Sequence, residues 1–303
     1  MGFVELSLLI WRVICAWVSA LAHVFLPARR KSVEGDICVI TGAGMGIGRL
    51  FALEFAKLGA TVVLWDVDNP ANEETARLVE AAHGKAKAYV CDVSNKSDVY
   101  RIAEQVRREV GDVSILVNNA GVVCGKTLLE LPDEGIEKTF AVNTLAHFWT
   151  VKAFLPGMLA NSHGHIISIA SIAGHYGGVG LCDYSASKFG AVGFEECLRY
   201  EIRRTEKQGI YTTAAYPWII STGMFEGFSP KEGWLLPPLE PQHAVDCIMH
   251  GILTNREVVF VPGILNFFTF LKPVLPMDAM WAVVKFFGID TAMDTFKGRN
   301  KQD

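Results

Sequence analysis

The chain has 303 residues, half of them apolar, and a formal net charge of −4. This length accommodates one large α/β domain with additional segments. The mean hydropathy of +0.27 is high for a freely soluble protein. The acidic balance, with a single basic block at residues 29–31, argues against a nucleic-acid partner. The cysteines include no Cys-x-x-Cys pair, so we predict reduced thiols in a chain that faces the cytosol.

Residues 3–26 form an apolar stretch that is long enough, at about 1.5 Å per helical residue, to cross a bilayer core of about 30 Å. Polar side chains recur along it at helical spacing and share one face: Glu5, Arg12, Ser19 and His23. This pattern is typical of a tilted span with a polar stripe or of an amphipathic helix in the membrane plane. A cleaved signal peptide is disfavoured because no basic segment precedes the stretch. The basic block that follows places the next domain in the cytosol.

A strand, a glycine-rich turn and a helix come next. Residues 36–41 are a short apolar run, typical of a buried parallel strand. Gly42, Gly46 and Gly48 follow in a Gly-x-x-x-Gly-x-Gly spacing and lead into a helical pattern. Glycines let the backbone approach a pyrophosphate, and the free amides of a helix N-terminus favour the anion. The turn, including Ile47, is therefore predicted to bind a dinucleotide.

The second strand, residues 61–66, ends in Asp66, about twenty residues after the glycines. A carboxylate at this position accepts hydrogen bonds from a ribose 2′-hydroxyl and repels a 2′-phosphate. Met45 in the turn carries no charge that would attract the phosphate, whereas the nearby Arg49 does. We therefore predict NAD as the cofactor, with NADP as the alternative, and a plain surface role for Asp66 as the competing interpretation.

Strand-like and helix-like segments alternate over the rest of the domain. Further strands are predicted at 86–91, 113–117, 165–170, 210–216 and 258–261, and helices at 46–58, 72–82, 96–110, 135–160, 187–208 and 242–253. This alternation predicts an α/β fold with a doubly wound, Rossmann-type sheet of seven parallel strands and helices on both faces. Ligands bind at the carboxyl ends of such strands. Asp92 and Val93 are placed there to meet adenine, and Asn119 follows the fourth strand.

Four polar residues predict a hydride-transfer site. Ser171 follows the fifth strand, and Tyr184 and Lys188 are four residues apart, so on a helix they share a face. A phenol becomes a base when a nearby cation lowers its pKa, which predicts Tyr184 as the general base and Lys188 as the cation, also within reach of the cofactor ribose. Ser171 would orient the substrate oxygen. Asn143 would hold a water that connects Lys188 to solvent.

These motifs resemble those of the short-chain dehydrogenases/reductases over residues 36–262 and, more narrowly, the membrane-bound retinol dehydrogenase group. Further segments carry the similarity: Leu64-Trp65-Asp66, residues 113–121, 146–150 and 152–156, and Thr222-Gly223-Met224-Phe225. The resemblance maps the superfamily's catalytic tetrad onto the four polar residues above and its nicotinamide-contacting threonine onto Thr222. Two positions depart from the pattern: Trp218 replaces the usual glycine after Pro217, and Ser185 replaces the cysteine that is frequent in close relatives.

The resemblance implies NAD-dependent oxidation of a membrane-borne lipophilic alcohol, all-trans-retinol foremost, by a homodimer. The implied location is the endoplasmic reticulum membrane, extending to lipid droplets, with the catalytic domain facing the cytosol. The alternatives are a 17β-hydroxysteroid dehydrogenase, a retinal reductase, and a non-enzymatic protein of the lipid-droplet surface. The intact set of four polar residues favours an enzyme.

The C-terminal part is again apolar. Large side chains fill residues 262–289, and Pro273 and Pro276 interrupt them too often for a membrane span. We predict an element that lies on the membrane, borders a hydrophobic entrance or forms a dimer surface. Residues 224–239 predict an apolar lid over the substrate site, with Phe225, Phe228, Trp234, Leu235 and Leu236 as its large side chains.

The chain is accordingly predicted to have three parts: a membrane anchor with its basic flank at 1–31, a catalytic domain at 32–262 and a hydrophobic extension at 263–303. No metal site is predicted, because His163 and His165 lack further ligands nearby.

Overall fold

The computed structural model describes residues 2–25, 28–231 and 236–298. It divides into two compact units, residues 1–31 and residues 32–303. Trp234 and Leu235, two of the predicted lid residues, and Leu26 lie outside the described residues.

The first unit contains one helix, α1 (Phe3–Phe25). Many of its described side chains are large, apolar and exposed, among them Trp11 and Trp17. Within the described parts of the chain, no helix combines the length and apolarity required to cross a membrane. The spanning helix expected over residues 3–26 is therefore not found among the residues that the structure describes.

The second unit is built on a seven-stranded sheet in the order β3-β2-β1-β4-β5-β6-β7, and every strand pair is parallel. This confirms the predicted doubly wound sheet. The strands are β1 (Ile37–Thr41), β2 (Thr61–Asp66), β3 (Lys85–Val90), β4 (Ile115–Asn118), β5 (Gly164–Ile169), β6 (Ile210–Pro217) and β7 (Val258–Val261).

Helices cover both faces of the sheet because successive strand residues point to opposite sides. The helices of the described part of this unit are α2 (Gly46–Lys57), α3 (Asn69–Ala81), α4 (Lys96–Glu109), α5 (Asp133–Phe140), α6 (Ala146–Asn161), α7 (Cys182–Arg204), α8 (Pro241–Leu253), α9 (Leu265–Leu271) and α10 (Met277–Phe287). Cys38 and Ile40 pack with α2, α3 and α8, whereas Val39 packs with α4, α6 and α7.

The single helix predicted over residues 135–160 is wrong in one respect. A π-helical turn, Ala141–Leu145, separates α5 from α6, and the amide of Ala146 reaches back five residues to the carbonyl of Ala141. Asn143 lies in this wide turn and is fully buried. Hydrogen bonds from its side chain to neighbouring elements, described below, hold the chain in this wider turn. Such π-helical turns are frequent at functional sites.

Residues after β7 form the C-terminal extension. Pro273 and Pro276 lie between α9 and α10, as expected of residues that end helices. The tail beyond α10 pairs with the segment after β6: the Ser229 amide donates to the Ala292 carbonyl at 3.0 Å. The Lys297 amide donates to the Glu226 carbonyl at 2.9 Å. The two apolar segments that the sequence placed near the site are thus joined to each other.

Candidate active site

The glycine-rich turn requires its glycines. Gly42 and Gly46 have φ angles of +65° and +56°, in the left-handed region that side chains disfavour. A Cβ atom at Gly48 would lie 2.0 Å from the carbonyl oxygen of Gly42. The turn therefore brings bare backbone to the start of α2, where free amides face the cleft. The geometry is that of a dinucleotide-binding turn.

Asp66 ends β2 beside this turn, as predicted. Its carboxylate accepts a hydrogen bond from the Gly44 amide at 2.8 Å and another from the Asp68 amide at 3.0 Å. Arg49, whose charge favoured NADP in the sequence, directs its guanidinium to the Gly44 carbonyl and to Thr75 Oγ1 at 3.0 Å. The arginine braces the outside of the turn, and the carboxylate is the charged group that lines the cleft here.

A brace between β1 and β4 was not predicted. Asn119 Nδ2 donates to the Thr41 carbonyl at 2.9 Å and to the Gly42 carbonyl at 3.1 Å. Thr41 Oγ1 accepts the amides of Asn119 and Ala120, each at 3.0 Å. The sequence placed each of the two residues at the carboxyl end of a strand. That the strands are neighbours followed only from the sheet order.

Asp92 and Val93 follow β3 and line the far end of the cleft, together with Lys138. The Asp92 carboxylate forms an ion pair with Lys138 Nζ at 3.0 Å and accepts the Ser94 hydroxyl at 2.7 Å. The buried Val93 offers an apolar surface next to this polar group. An apolar face beside fixed polar groups is suited to a flat heterocycle such as adenine.

Tyr184 lies in the first turns of α7 and is almost completely buried. Burial raises the pKa of Tyr184 to about 12, against the opposing effect of a hydrogen bond with Ser171. The ring packs edge-on against Phe225, with centroids 5.5 Å apart. Ser171 comes directly after β5, and its Oγ also accepts the Ala173 amide at 3.1 Å. The predicted pair of hydroxyls is therefore assembled.

Lys188 lies one helical turn after Tyr184, and its ammonium is 5.7 Å from the centre of the tyrosine ring. The Nζ atom donates to the carbonyl oxygen of Ile169 at 2.9 Å. Burial lowers the pKa of Lys188 to about 8. In this structure the pKa of Tyr184 is raised and not lowered, because desolvation of the phenol is the largest effect on it.

Asn143 braces the site from the π-turn. Its Oδ1 accepts the Val122 amide at 2.9 Å, while its Nδ2 donates to the Val122 carbonyl at 2.9 Å and to Ser187 Oγ at 3.0 Å. Ser187 in turn donates to the Tyr184 carbonyl at 2.7 Å. The side chain that was predicted to hold a water thus ties the segment after β4 to the catalytic helix.

These groups line one cleft with an empty volume of about 1240 Å³ at the carboxyl edge of the sheet. It contains all the predicted site residues except Asn143: Gly42, Gly46, Ile47, Gly48, Asp66, Asp92, Val93, Asn119, Ser171, Tyr184, Lys188 and Thr222. Bare backbone at one end, a carboxylate beside it and a phenol at the other end fit a nicotinamide dinucleotide. The tight turn would bind the phosphates of such a dinucleotide, and Asp66 would bind its adenosine ribose.

A second cavity, of about 1140 Å³, adjoins the cleft and shares Ser171, Tyr184, Trp218, Ile219 and Phe225 with it. Its other walls come from the residues after Ser171, from the predicted lid and from the C-terminal extension. The extension contributes Leu265, Phe268, Leu271, Leu275, Met280, Val283, Val284, Phe287 and Ile289. The cavity is apolar along its length and reaches the catalytic hydroxyls at one end.

The family model of the short chain dehydrogenases matches residues 36–233. The chain belongs to this family. Short-chain dehydrogenases oxidise alcohols or reduce the corresponding carbonyls, so the assembled cleft is that of an oxidoreductase acting on an alcohol.

Two short-chain dehydrogenases resemble this one over most of its length. Epidermal retinol dehydrogenase 2 of Homo sapiens is 49% identical over 94% of this chain and 93% of its own. Retinol dehydrogenase 10-B of Danio rerio is 45% identical over 98% of this chain and 95% of its own. The narrower resemblance found in the sequence is thereby confirmed.

Solved structures of the family share the fold. A short-chain dehydrogenase/reductase of Burkholderia phymatum in complex with NAD has a TM-score of 0.73 and 28% identity, covering 80% of this chain and 95% of its own. A metagenomic short-chain oxidoreductase in complex with NADP has a TM-score of 0.65 and 29% identity, covering 76% of this chain and 98% of its own. Structural neighbours in the family thus bind either dinucleotide.

The dehydrogenase departs from the usual family pattern at Trp218, which lines both the cleft and the apolar cavity. Its indole Nε1 donates to the Leu236 carbonyl at 3.1 Å, and its ring lies edge-on to Phe228. The residue therefore contributes an apolar wall between the two spaces. The sequence showed the departure at Trp218 and an apolar C-terminal element, but it did not identify which side chains of α9 line the cavity, although Leu265, Phe268 and Leu271 recur at helical spacing.

Proposed function

We propose that this dehydrogenase oxidises a membrane-borne, lipophilic primary alcohol with NAD, and that its substrate is all-trans-retinol, which becomes all-trans-retinal. The observation that carries the proposal is the apolar cavity that ends at Ser171 and Tyr184. The retinol dehydrogenase names of the similar proteins support the same substrate class.

The catalytic residues act at the cavity's polar end. Ser171 would hold the substrate oxygen beside Tyr184, and the phenolate form of Tyr184 would take the hydroxyl proton as hydride leaves the neighbouring carbon for the cofactor. With its pKa raised by burial, Tyr184 holds its proton at neutral pH and must gain positive charge nearby before it can act as a base. Bound NAD supplies the hydride acceptor and a positively charged ring. In the reverse direction, the protonated phenol is already the required donor.

The distribution of polar groups favours a retinoid over a steroid. Among the described lining residues, the other polar side-chain groups are already bonded. The Tyr176 hydroxyl donates to the Phe268 carbonyl, and the Trp218 indole donates to the Leu236 carbonyl. Retinol has one oxygen at one end of an apolar body. A 17β-hydroxysteroid with a second oxygen at its far end would bury that oxygen without a side-chain partner, which costs binding energy.

The choice of NAD rests on Asp66. Its carboxylate lines the cleft next to the glycine turn, while Arg49 is engaged with the Gly44 carbonyl on the other side of that turn. A 2′-phosphate would meet a negative charge at this position, whereas a 2′-hydroxyl would find an acceptor. The electrostatics of the turn therefore favour NAD.

We further propose that the protein binds the endoplasmic reticulum membrane and lipid droplets through apolar surfaces that lie in the interface. The described apolar side chains of α1 are exposed, with Trp11 at 64% and Trp17 at 73%. The C-terminal extension also exposes large side chains, including Phe270 at 70% and Met277 at 81%. Large exposed apolar and aromatic surfaces of this kind are typical of interfacial anchors. The homodimer expected from the sequence stays a prediction.

The substrate is tested with membranes that contain the full-length chain, with Tyr184→Phe membranes as the blank. Each is incubated with all-trans-retinol or a 17β-hydroxysteroid, with NAD or NADP, and the carbonyl product is quantified. Retinal formed with NAD by the unmodified chain alone is expected. Steroid ketone in its place would retain the mechanism and change the substrate. No product from either alcohol would contradict the proposed dehydrogenase activity.

Membrane binding is tested separately by flotation with liposomes. Replacing the exposed Trp11 and Trp17 by serine is expected to weaken flotation, because each loses a large interfacial side chain. The buried Trp65 is unsuitable as a control, so the matched variant is Tyr200→Ser, which removes an exposed aromatic ring from α7. Equal flotation of all three proteins would contradict the role of α1.

A further inference from the structure

Lys272 is a charged residue within the apolar C-terminal extension, directly after α9. Its ammonium donates to the carbonyl oxygen of His175. It also lies over two aromatic rings, 5.3 Å from the centre of Tyr176 and 4.9 Å from the centre of Phe189. No carboxylate of the described residues is within ion-pair distance of it. Carbonyl and ring electrons therefore accommodate this charge.

The partners of Lys272 belong to the two elements that carry the catalytic residues. Phe189 directly follows Lys188 in α7. His175 and Tyr176 end the short loop that begins with Ser171. That loop is tightly hydrogen-bonded, with the Gly174 amide on the Ser171 carbonyl at 2.9 Å and the His175 and Tyr176 amides on the Ile172 carbonyl at 2.9 and 3.1 Å. The loop is therefore a firm connection between Ser171 and the carbonyl that Lys272 binds, and it fixes where α9 lies relative to Ser171.

A second contact ties the end of α9 to the same loop. The Tyr176 hydroxyl donates to the carbonyl of Phe268, and the backbone amide of Lys272 donates to that same carbonyl at 3.1 Å. The His175 ring packs edge-on against Tyr216, with centroids 4.5 Å apart, which anchors the loop on its other side to β6. The end of α9 is thus fastened to a loop that is itself held to the sheet.

The helix that Lys272 ends is also a wall of the apolar cavity. Leu265, Phe268 and Leu271 of α9 face that cavity, whereas Phe267 and Phe270 are exposed. One helix therefore connects the surface that would hold an apolar substrate to the loop that would hold its oxygen. A helix of this length, lying on the edge of the domain, has little helical stability of its own and depends on such contacts.

We propose that Lys272 is a positioning residue that locks α9 onto the Ser171 loop, so that the apolar wall and the catalytic hydroxyls are held in register for a long substrate. This rests on the proposed oxidation of a long apolar alcohol at this site. A short alcohol that occupies only the Ser171 end gains nothing from the wall and is indifferent to the lock.

The lock is tested on the full-length protein with three variants. Lys272→Met keeps the alkyl chain and removes the charge, and Lys272→Arg keeps both the charge and the capacity to stack. The matched control is Lys285→Met in α10, where the ammonium lies 5.5 Å from the Trp281 ring, is exposed and lines neither space.

Hydrogen exchange gives a readout that does not depend on activity. In Lys272→Met, the amides of residues 172–177 and 265–271 are expected to exchange about tenfold faster, the loss anticipated for one charged hydrogen bond and its ring contacts. Lys272→Arg should restore most of the protection, and Lys285→Met should match the unmodified chain. Faster exchange in α9 alone, with the Ser171 loop unchanged, would overturn the proposed coupling.

Kinetics give the second readout. Lys272→Met should raise KM for all-trans-retinol about tenfold, while kcat/KM for a short, water-soluble primary alcohol changes less than about twofold. An equal loss on both alcohols would indicate general destabilisation and contradict the proposal. If the unmodified chain oxidises neither alcohol, the proposed function fails, and the exchange measurement alone then decides the role of Lys272.

Discussion

The cofactor cleft and the apolar cavity meet at Tyr184, yet they are built in different ways. The cleft is made of turns at strand ends, where backbone amides and a few fixed side chains such as Asp66 and Asn119 do the binding. The cavity is made mainly of apolar side chains from segments that follow the fifth, sixth and seventh strands. The comparison indicates that cofactor binding depends on backbone geometry and single charges, whereas substrate choice depends on shape and on the absence of polar partners.

The largest effect is expected where the two regions meet. Replacing Tyr184 by phenylalanine removes the proton carrier and should lower kcat about a thousandfold or more, with NAD affinity largely kept. Tyr200→Phe is the matched control on the same helix, since its exposed hydroxyl bonds Glu196 at 3.3 Å. Steady-state kinetics and NAD titration measure both. A Tyr184→Phe protein with a tenth of normal turnover would remove Tyr184 from the mechanism.

The next effect belongs to the cleft and concerns stability. Between pH 8 and 10.5, buried Lys188 is neutral in the folded chain but still protonated in the unfolded chain, so the free energy of unfolding should rise with pH across this window. The full rise that the lowered pKa of Lys188 contributes to the free energy of unfolding is roughly 3 kcal/mol. Lys188→Met should lose this rise, as measured by denaturant unfolding of solubilised protein at pH 7.5 and 9.5.

The control for the pH experiment is Lys152→Met, which removes an exposed lysine from α6. It should retain the rise in the free energy of unfolding. Buried Cys91 and Tyr184 act in the opposite direction, since their raised pKa values make the folded protein lose stability above about pH 9 and about pH 10. The difference between the two variants is therefore the quantity that reports on Lys188. A rise of equal size in both variants would mean that folding does not lower the pKa of Lys188.

Cofactor choice sharpens the contrast between the two regions. Asp66→Ala combined with Val67→Arg exchanges a negative for a positive charge at the cleft, because Val67 is exposed and lines it. The ratio of kcat/KM for NADP over NAD should rise about a hundredfold. The control is Asp68→Ala, which removes the N-terminal cap of α3 but leaves the cleft lining intact, and it should leave the ratio unchanged. An unchanged ratio in the double variant would contradict the role of Asp66.

The smallest effect is expected in the cavity, where neighbouring phenylalanines form a natural pair. Phe268→Ala enlarges the cavity and should raise KM for retinol about tenfold, with little change for a short soluble alcohol. Phe267→Ala removes a side chain that is 55% exposed and should leave solution kinetics unchanged. Comparable increases in KM for retinol in both variants would mean that retinol does not bind in the apolar cavity.

The sequence alone predicted the parts of the site that depend on residue type and short spacing. The turn was predicted from Gly42, Gly46 and Gly48, because a positive φ angle and a close approach of the backbone require glycine. Strand periodicity placed Asp66 and Ser171 at strand ends, and the four-residue spacing placed Lys188 one helical turn from Tyr184. Each of these inferences uses contacts within a few residues, where local geometry leaves little choice.

Tertiary structure decided what distant segments do together. The π-turn at Asn143 exists because its side chain satisfies Val122 and Ser187, far apart in the chain, and no local pattern signals it. The ammonium of Lys188 binds the Ile169 carbonyl at the end of β5, and burial by the surrounding domain raises the pKa of Tyr184. The apolar cavity likewise arises where the lid and α9–α10 pack together. Which apolar faces meet depends on the packing of the whole domain, and hydrophobic attraction, having no direction of its own, does not encode it locally.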